Sequence, residues 1–454
     1  MTRRYVAAVS AAAIILSVTS ASAEVPAEQA ARLGKDLTPM GAEAGAAGDV
    51  PAWTGGLTAP PAGVKYNPRR EHPPNPFPND KPRYTITSAN MAQYADRLDE
   101  GHKAMLKRFA DYKMNVYESR RSCAHPQYIY AATKNNALVA RLTKDGEGVT
   151  GGIMGVPFPI FTNARELVWN TKLRFLPHKG TRTSSAAPMQ ANGSYNLIKI
   201  QDEVLSRWND PSKKRAEDLG NVSLMYISNT ISPPRLAGNV ILVHESLNST
   251  VEPRKAWSYS PGTRRTRRAP DIAYDNPGFN TDGLTTADSF YGFNGALDRY
   301  EWSLRGKSVK LIPYNSYQLL HTKYVDLLKP GHLNQDVVRY EPHRVWAVDA
   351  KLRPDKRHSY ARRVMYIDED TYIPAGVEIY DGRGQLWRYQ EMHTGNAYHI
   401  PACGTAAEVT FDLLGSGRYL ANTLIGEEPP PNPYADELTE QRFTPEAMHS
   451  LGIR

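Results

Sequence analysis

Cysteine is almost missing from this 454-residue chain: Cys123 and Cys403 are the only two. That excludes a disulfide-dense small scaffold and any cysteine-rich zinc or iron–sulfur module. Phenylalanine is scarce as well, at 10 residues against 26 tyrosines and 7 tryptophans. Rings with a polar end suit half-wet sheet surfaces and pockets. After residue 23 no run approaches the roughly 18 apolar residues that a membrane-spanning helix needs. One-sided charge is lacking too. Lys plus Arg number 55 and Asp plus Glu 47, and a net +8 on so long a chain is well short of a nucleic-acid footprint. Catalytic signatures are also missing. There is no G-x-S-x-G elbow and no H-E-x-x-H, and the glycine-rich stretch 148–159 lacks the Lys-Ser/Thr of a phosphate loop. His393 and His399 have no cysteine pair or acidic box beside them, so neither a metal nor a cofactor is expected.

What is present begins with an address. Arg3 and Arg4 precede an apolar stretch at 6–18, and Ala21, Ser22 and Ala23 form an A-x-A cleavage site. Residues 1–23 therefore read as a signal peptide cleaved after Ala23, sending the mature protein to the periplasm. No lipidation cysteine follows the site. In that oxidising compartment the two remaining cysteines favour a Cys123–Cys403 disulfide, with two buried free thiols as the alternative.

The rest of the chain divides by pattern. Residues 24–86 are broken by Pro60, Pro61, Pro73, Pro74, Pro76 and Pro78, which predicts an extended strap. Residues 87–192 carry helical periodicity at 88–109, 127–142 and 164–175, a helical cover. From 193 to 425 the period is two, with strands expected at 194–207, 221–229, 238–248, 254–260, 300–313, 343–352, 360–368, 375–380 and 385–393. Pro261-Gly262 and Asp381-Gly382 mark hairpin turns. Residues 426–454 form a proline-rich tail with a short helix at 445–451. The fold class is mainly β (α+β): a large antiparallel sheet that curls, with helices over one face.

Two charged groups stand out. Arg264, Arg265, Arg267 and Arg268 follow the Pro261-Gly262 turn, and their forks suit a lipid headgroup or an acidic partner. The same charges also suit a solvated strand edge that resists aggregation. Asp368, Glu369 and Asp370 lie between two expected strands, where a solvated turn explains them better than acid–base chemistry. Asp282, Asp288 and Asp298 are further acidic candidates with nothing to choose among them.

Trp257, Tyr259, Pro261, Arg264 and Arg267 form a W-x-Y-x-P-x-x-R-x-x-R hairpin that resembles the LolA/LolB-like outer-membrane-lipoprotein-sorting superfamily. The acidic-aromatic stretches at 282–291 and 298–302, and the hairpin at 378–387, extend that resemblance. The segments 37–42, 51–56, 84–94 and 344–346 more closely resemble a long periplasmic domain-of-unknown-function family related to it. The resemblance implies a half-barrel sheet, open on one side and closed by helices over an apolar cavity. It also implies a carrier for a lipid or other hydrophobic molecule, working with an RND-type inner-membrane transporter and an outer-membrane protein. The chain is about twice a typical LolA in length, so lipoprotein itself need not be the cargo. A dry cavity suits acyl chains, because each buried CH2 is worth roughly 0.8 kcal/mol. Val240, Leu242, Trp257, Tyr259, Trp302, Leu304, Trp346 and Val348 are the residues expected on the concave face. The rival readings are an exported hydrolase or lyase using a carboxylate pair near Asp282–Asp298 or Asp368–Asp370, and a non-catalytic adaptor.

Overall fold

Period-two segments with short turns pair with their sequence neighbours, and here they do so in two runs, one of six strands and one of seven. The structure, a computed structural model, describes residues 25–269 and 274–452. The signal peptide expected at 1–23 lies outside the described residues.

Two short strands come first, β1 (Tyr84–Ile86) and β2 (Met114–Val116), and a small separate ribbon follows, β3 (Arg141–Leu142) with β4 (Val149–Thr150). One run of hairpins is β5 (Lys179–Met189), β6 (Ile198–Ser206), β7 (Val222–Ser232), β8 (Val240–Ser246), β9 (Lys255–Ser260) and β10 (Arg265–Arg268). The second run opens with β11 (Tyr300–Pro313), β12 (Tyr340–Leu352), β13 (Arg362–Asp368) and β14 (Pro374–Tyr380). It ends with β15 (Leu386–Ala397), β16 (Ala402–Asp412) and β17 (Tyr419–Leu424). Antiparallel pairing of β17 with β5 joins the runs into a single sheet with β10 and β11 at its two edges. β2 attaches only at Val116, opposite Tyr340 of β12. The sheet is strongly curved and not closed. Register shifts recur along it, at Ala421/Leu424, His393/Thr394 and Ile379/Tyr380 for example, and each adds local twist.

Seven short helices lie among the described residues, α1 (Ala27–Ala30), α2 (Glu100–Arg108), α3 (Gln127–Val139), α4 (Ala164–Leu173), α5 (Tyr317–Leu320), α6 (Tyr324–Leu327) and α7 (Pro445–Gly452), with α1 packed on α3. One face of β12–β15 is filled by α3 and α4, with Trp169, Val348, Met365, Val377 and Met392 in contact. The opposite face is covered by α2, α5 and α6 around Met105, Leu106, Tyr340, Tyr389 and Tyr419. The helix expected at 88–109 is broken. A 3-10 segment, Met91–Arg97, ends before α2 because Asp99 turns extended and caps α2, accepting the His102 amide at 2.7 Å.

The sheet is larger than expected, because β5, β16 and β17 add to it; β5 and β17 carry no apolar alternation, whereas β16 does, in Ala407, Val409 and Phe411. Ser184, Ser185, Ala186 and Ala187 of β5 are buried on both faces, as are Ala406 and Ala407 of β16. Small residues let covering elements approach both sides and leave no period-two signature.

Cys123, in the loop before α3, is bonded to Cys403 of β16 across a sequence separation of 280, with Cα atoms 5.9 Å apart. The chain-entropy model assigns closure of so long a loop about 5–6 kcal/mol. Urea unfolding with and without reductant is expected to show a loss of that size, with the cysteine-free double serine variant matching the reduced protein.

Candidate functional site

The inner face of β5–β8 borders a hollow. Across it the register aligns Arg182, Asp202, Ser228 and Ile241 in one row, Val204 and Tyr226 in the next, and Ser184 and Ile200 in a third. Opposite this face stand α4, started by its Asn163 cap, and the loop 274–299. The α4 residues Trp169, Lys172 and Leu173 and the loop residues Phe279, Phe290 and Phe293 enclose a cavity of about 480 Å³ with the strand residues. That volume lies within the usual range for small-molecule sites.

A second chamber of about 280 Å³ adjoins the first. Phe175, Leu176, Tyr317 and Ile400 line it, and two proline-rich segments, 68–73 of the strap and 430–433 of the tail, form its roof. The roof is tied down by polar bonds. His72 Nε2 lies 2.9 Å from the Glu428 carbonyl, the Tyr398 hydroxyl donates to Pro74 at 2.9 Å, and Asn432 exchanges two backbone bonds with Thr181. Tyr128 and Tyr434 stand exposed near this end, where Tyr128 meets the ring of Phe175.

Arg174, Leu176, Arg182, Val204 and Tyr291 line both chambers and form their common wall. Tyr291 is held in the left-handed region at φ +51, which is uncommon for a residue with a bulky side chain. Its amide donates to Glu408 at 3.1 Å, and its hydroxyl accepts from Arg182 at 2.9 Å. The guanidinium of Arg174 stacks over its ring at 5.0 Å. Arg182 is neutralised by Asp202, 2.8 Å away. Burial holds Lys172 down to about 8, and its ammonium lies 4.4 Å over the Trp169 ring.

Glu408, behind Tyr291, is pushed up to about 7 because burial penalises its charge more than Tyr291, Arg182 and Arg174 favour it. A raised folded pKa gives stability that is complete below the unfolded value near 4.5 and is lost as pH rises to about 7. Glu408→Gln is therefore expected to match the wild type near pH 4 and to exceed it by on the order of 2–3 kcal/mol at pH 8. Denaturation midpoints across that range check the slope.

The residues expected on the concave face divide into two groups. Val240, Leu242, Trp257 and Tyr259 share a face, but it is the outer one, beneath the tail and α7 with Phe443 and Met448. The run Val240, Ile241, Leu242, Val243 is buried on both faces, so alternation does not say which side is inside, and Ile241 is the residue that reaches the cavity. Trp302, Leu304, Trp346 and Val348 do lie on the inner side, within or against the filled core under α4 rather than on the chambers. Arg264, Arg265, Arg267 and Arg268 are exposed at or beside the β10 edge and line neither chamber.

The acidic groups have partners within the fold. Asp368, Glu369 and Asp370 do not form a solvated turn; all three are buried. Arg121 makes two bonds to Asp370, at 2.9 and 2.8 Å, and Arg344 and Lys307 pair with Glu369. His343, Asp368 and Asp370 bring ligand atoms within 4.8 Å of one another, yet the Arg121 guanidinium already supplies positive charge there. Asp282 is exposed and pairs with Arg418. Asp288 is buried against Arg363, and Asp298 accepts from the Tyr274 hydroxyl at 3.0 Å. The wall residues Arg174 and Tyr291 escape a sequence reading. The one signal is the aromatic run Phe290, Tyr291, Phe293 inside a loop, where polar residues are the rule.

A curved, open antiparallel sheet with an apolar two-chamber hollow against its inner face places the molecule among curved-sheet proteins built around an internal cavity. The chain belongs to the family described as "Protein of unknown function (DUF1329)", whose model matches residues 85–449. An uncharacterised protein of Pseudomonas aeruginosa is 44% identical over 451 residues, 97% of each chain. Among solved structures, a DUF1329 family protein from Desulfovibrio piger aligns with a TM-score of 0.43 at 11% identity, covering 62% of this chain and 96% of its own. A putative outer membrane lipoprotein-sorting protein domain from Vibrio parahaemolyticus aligns at 0.41 and 14%, covering 63% and 97%. A LolA superfamily protein from Nitrosomonas europaea aligns at 0.37 and 13%, covering 63% and 98%.

Proposed function

We propose that this protein binds and carries a lipid or other hydrophobic small molecule in the periplasm, without chemistry of its own. The observation that carries the reading is the pair of adjoining chambers. Their volumes suit a small amphiphile, and aliphatic and aromatic side chains dominate their walls. Cargo enters through the smaller chamber, where the strap and the tail form a roof of prolines rather than a packed core. The Cys123–Cys403 bond suits an oxidising compartment, and among the described residues no helix is long and apolar enough to cross a membrane. An RND-type inner-membrane transporter and an outer-membrane protein are the partners such a carrier would serve, and the exposed arginines at the β10 edge offer a contact to acidic surfaces.

The test is a titration of delipidated protein with the neutral fluorophore N-phenyl-1-naphthylamine. The reading expects a saturable rise in emission at one site per chain, reversed by long-chain lipids. Emission that rises without saturation, or that lipids do not reverse, contradicts it.

A further inference from the structure

We propose that the cargo is an amphiphile bearing an anionic carboxylate or phosphate group, and that Arg174 receives that group at the wall between the two chambers. This rests on the carrier reading and narrows its substrate class.

Among the described residues six arginines are buried: Arg121, Arg174, Arg339, Arg344, Arg363 and Arg388. A guanidinium withdrawn from water is normally matched by a carboxylate, because an uncompensated charge in low-dielectric surroundings is costly. Four of the six obey this rule. Arg121 has Asp370, Arg339 has Glu341 and Asp80, Arg344 has Glu369, and Arg363 has Asp288. Arg388 reaches the Tyr360 hydroxyl and the Gly283 carbonyl instead, and it lines neither chamber. Arg174 is the remaining one. It is only 9% exposed, has no carboxylate within ion-pair distance, and lies in the wall of both cavities.

The partners Arg174 does have leave it incompletely matched. It follows the last residue of α4, and its Nη1 donates to the Thr171 carbonyl at 2.7 Å, a favourable but partial charge at a helix C-terminus. Its plane stacks on Tyr291, and its Nε has no hydrogen-bond partner. Glu408 is the carboxyl that acts on it electrostatically, and burial drives that group toward its neutral form. Arg182 adds positive potential at the same wall, while its own Nε and Nη1 are taken by Asp202 and the Tyr291 hydroxyl. An oxyanion at Arg174 would supply the missing negative charge, and the planar fork of arginine suits both carboxylate and phosphate. The apolar chambers on either side then receive the tail.

The experiment displaces N-phenyl-1-naphthylamine from delipidated protein at pH 7.5 with palmitate, methyl palmitate or hexadecyl phosphate. The inference expects at least one anionic probe to bind ten times or more tighter than the uncharged ester. Whichever of palmitate and hexadecyl phosphate is tighter identifies the headgroup class. Arg174→Met is expected to bring the ratio of anion to ester affinity to within about twofold, and Arg174→Lys to retain part of the preference. Equal affinities for acid, phosphate and ester in the wild-type protein overturn the inference while leaving the carrier reading in place; this comparison needs no variant to fold. A full preference surviving in Arg174→Met also overturns it. If no probe displaces the fluorophore, the carrier reading falls and the inference with it.

Discussion

Val204→Trp is expected to weaken binding of a neutral hydrophobic fluorophore by more than tenfold while the protein stays folded. Val204 is a β6 residue on the wall common to both chambers. An indole there projects into empty volume instead of displacing packed neighbours, so the usual penalty of overpacking does not arise. The matched control is Val240→Trp. Val240 is fully buried on the outer face of the same sheet, under the tail and α7. A tryptophan there has no space and is expected to cost about 1–3 kcal/mol of stability, with the fluorophore still bound by the folded fraction. Fluorophore titrations and urea midpoints on the two variants separate the faces. The opposite pattern would place the binding surface under α7.

Asp288→Ala is expected to be the most destabilising single change in the loop that walls the cavity. Asp288 is 1% exposed and accepts from Arg363 Nη2 and Thr286 Oγ1 at 2.7 Å, with His358 Nε2 at 3.0 Å. Arg363, wholly buried, is ringed by Phe293, Tyr300 and Tyr360 at 5.0–5.6 Å. Removing one partner of such a pair strands the other charge and costs about 3–5 kcal/mol. The same loop carries Phe290, Tyr291 and Phe293 to the hollow, so binding of a hydrophobic fluorophore there is expected to fall with it. Arg363 and His358 hold the Asp288 carboxyl well below the usual carboxylate range. Its contribution is therefore complete above the unfolded value near 3.9 and is lost as pH falls below it. Asp288→Ala combined with Arg363→Met is expected to recover part of the loss, because neither charge is then stranded. Unfolding curves of the single and double variants at pH 7 measure this.

Much of the sheet is legible in the sequence. In β11 the alternation predicts residues 300–313, the bounds observed, and the turns at Pro261-Gly262 and Asp381-Gly382 sit between paired strands. Alternation fails wherever both faces of a strand are covered. That is why β5, rich in serine and alanine, carries no strand pattern, and why Val240 and Leu242 are easily assigned to the wrong face. The site is less legible still. Its wall is assembled from the end of α4, two residues of neighbouring strands and a loop tyrosine more than a hundred residues away in sequence. No local pattern marks Arg174, since a cation after the last turn of a helix is an ordinary helix-capping feature. The acidic run 368–370 misleads in the other direction, because local sequence does not show that Arg121 and Arg344 will be brought against it.

Whether the hollow under β5–β8 holds a hydrophobic molecule, as proposed, is read by mass spectrometry of organic extracts from protein exported to a bacterial periplasm and purified without detergent. A defined amphiphilic species approaching one per chain is expected in the wild type, strongly depleted in Val204→Trp. An extract with no such species, or one equally abundant in Val204→Trp, would contradict the proposal.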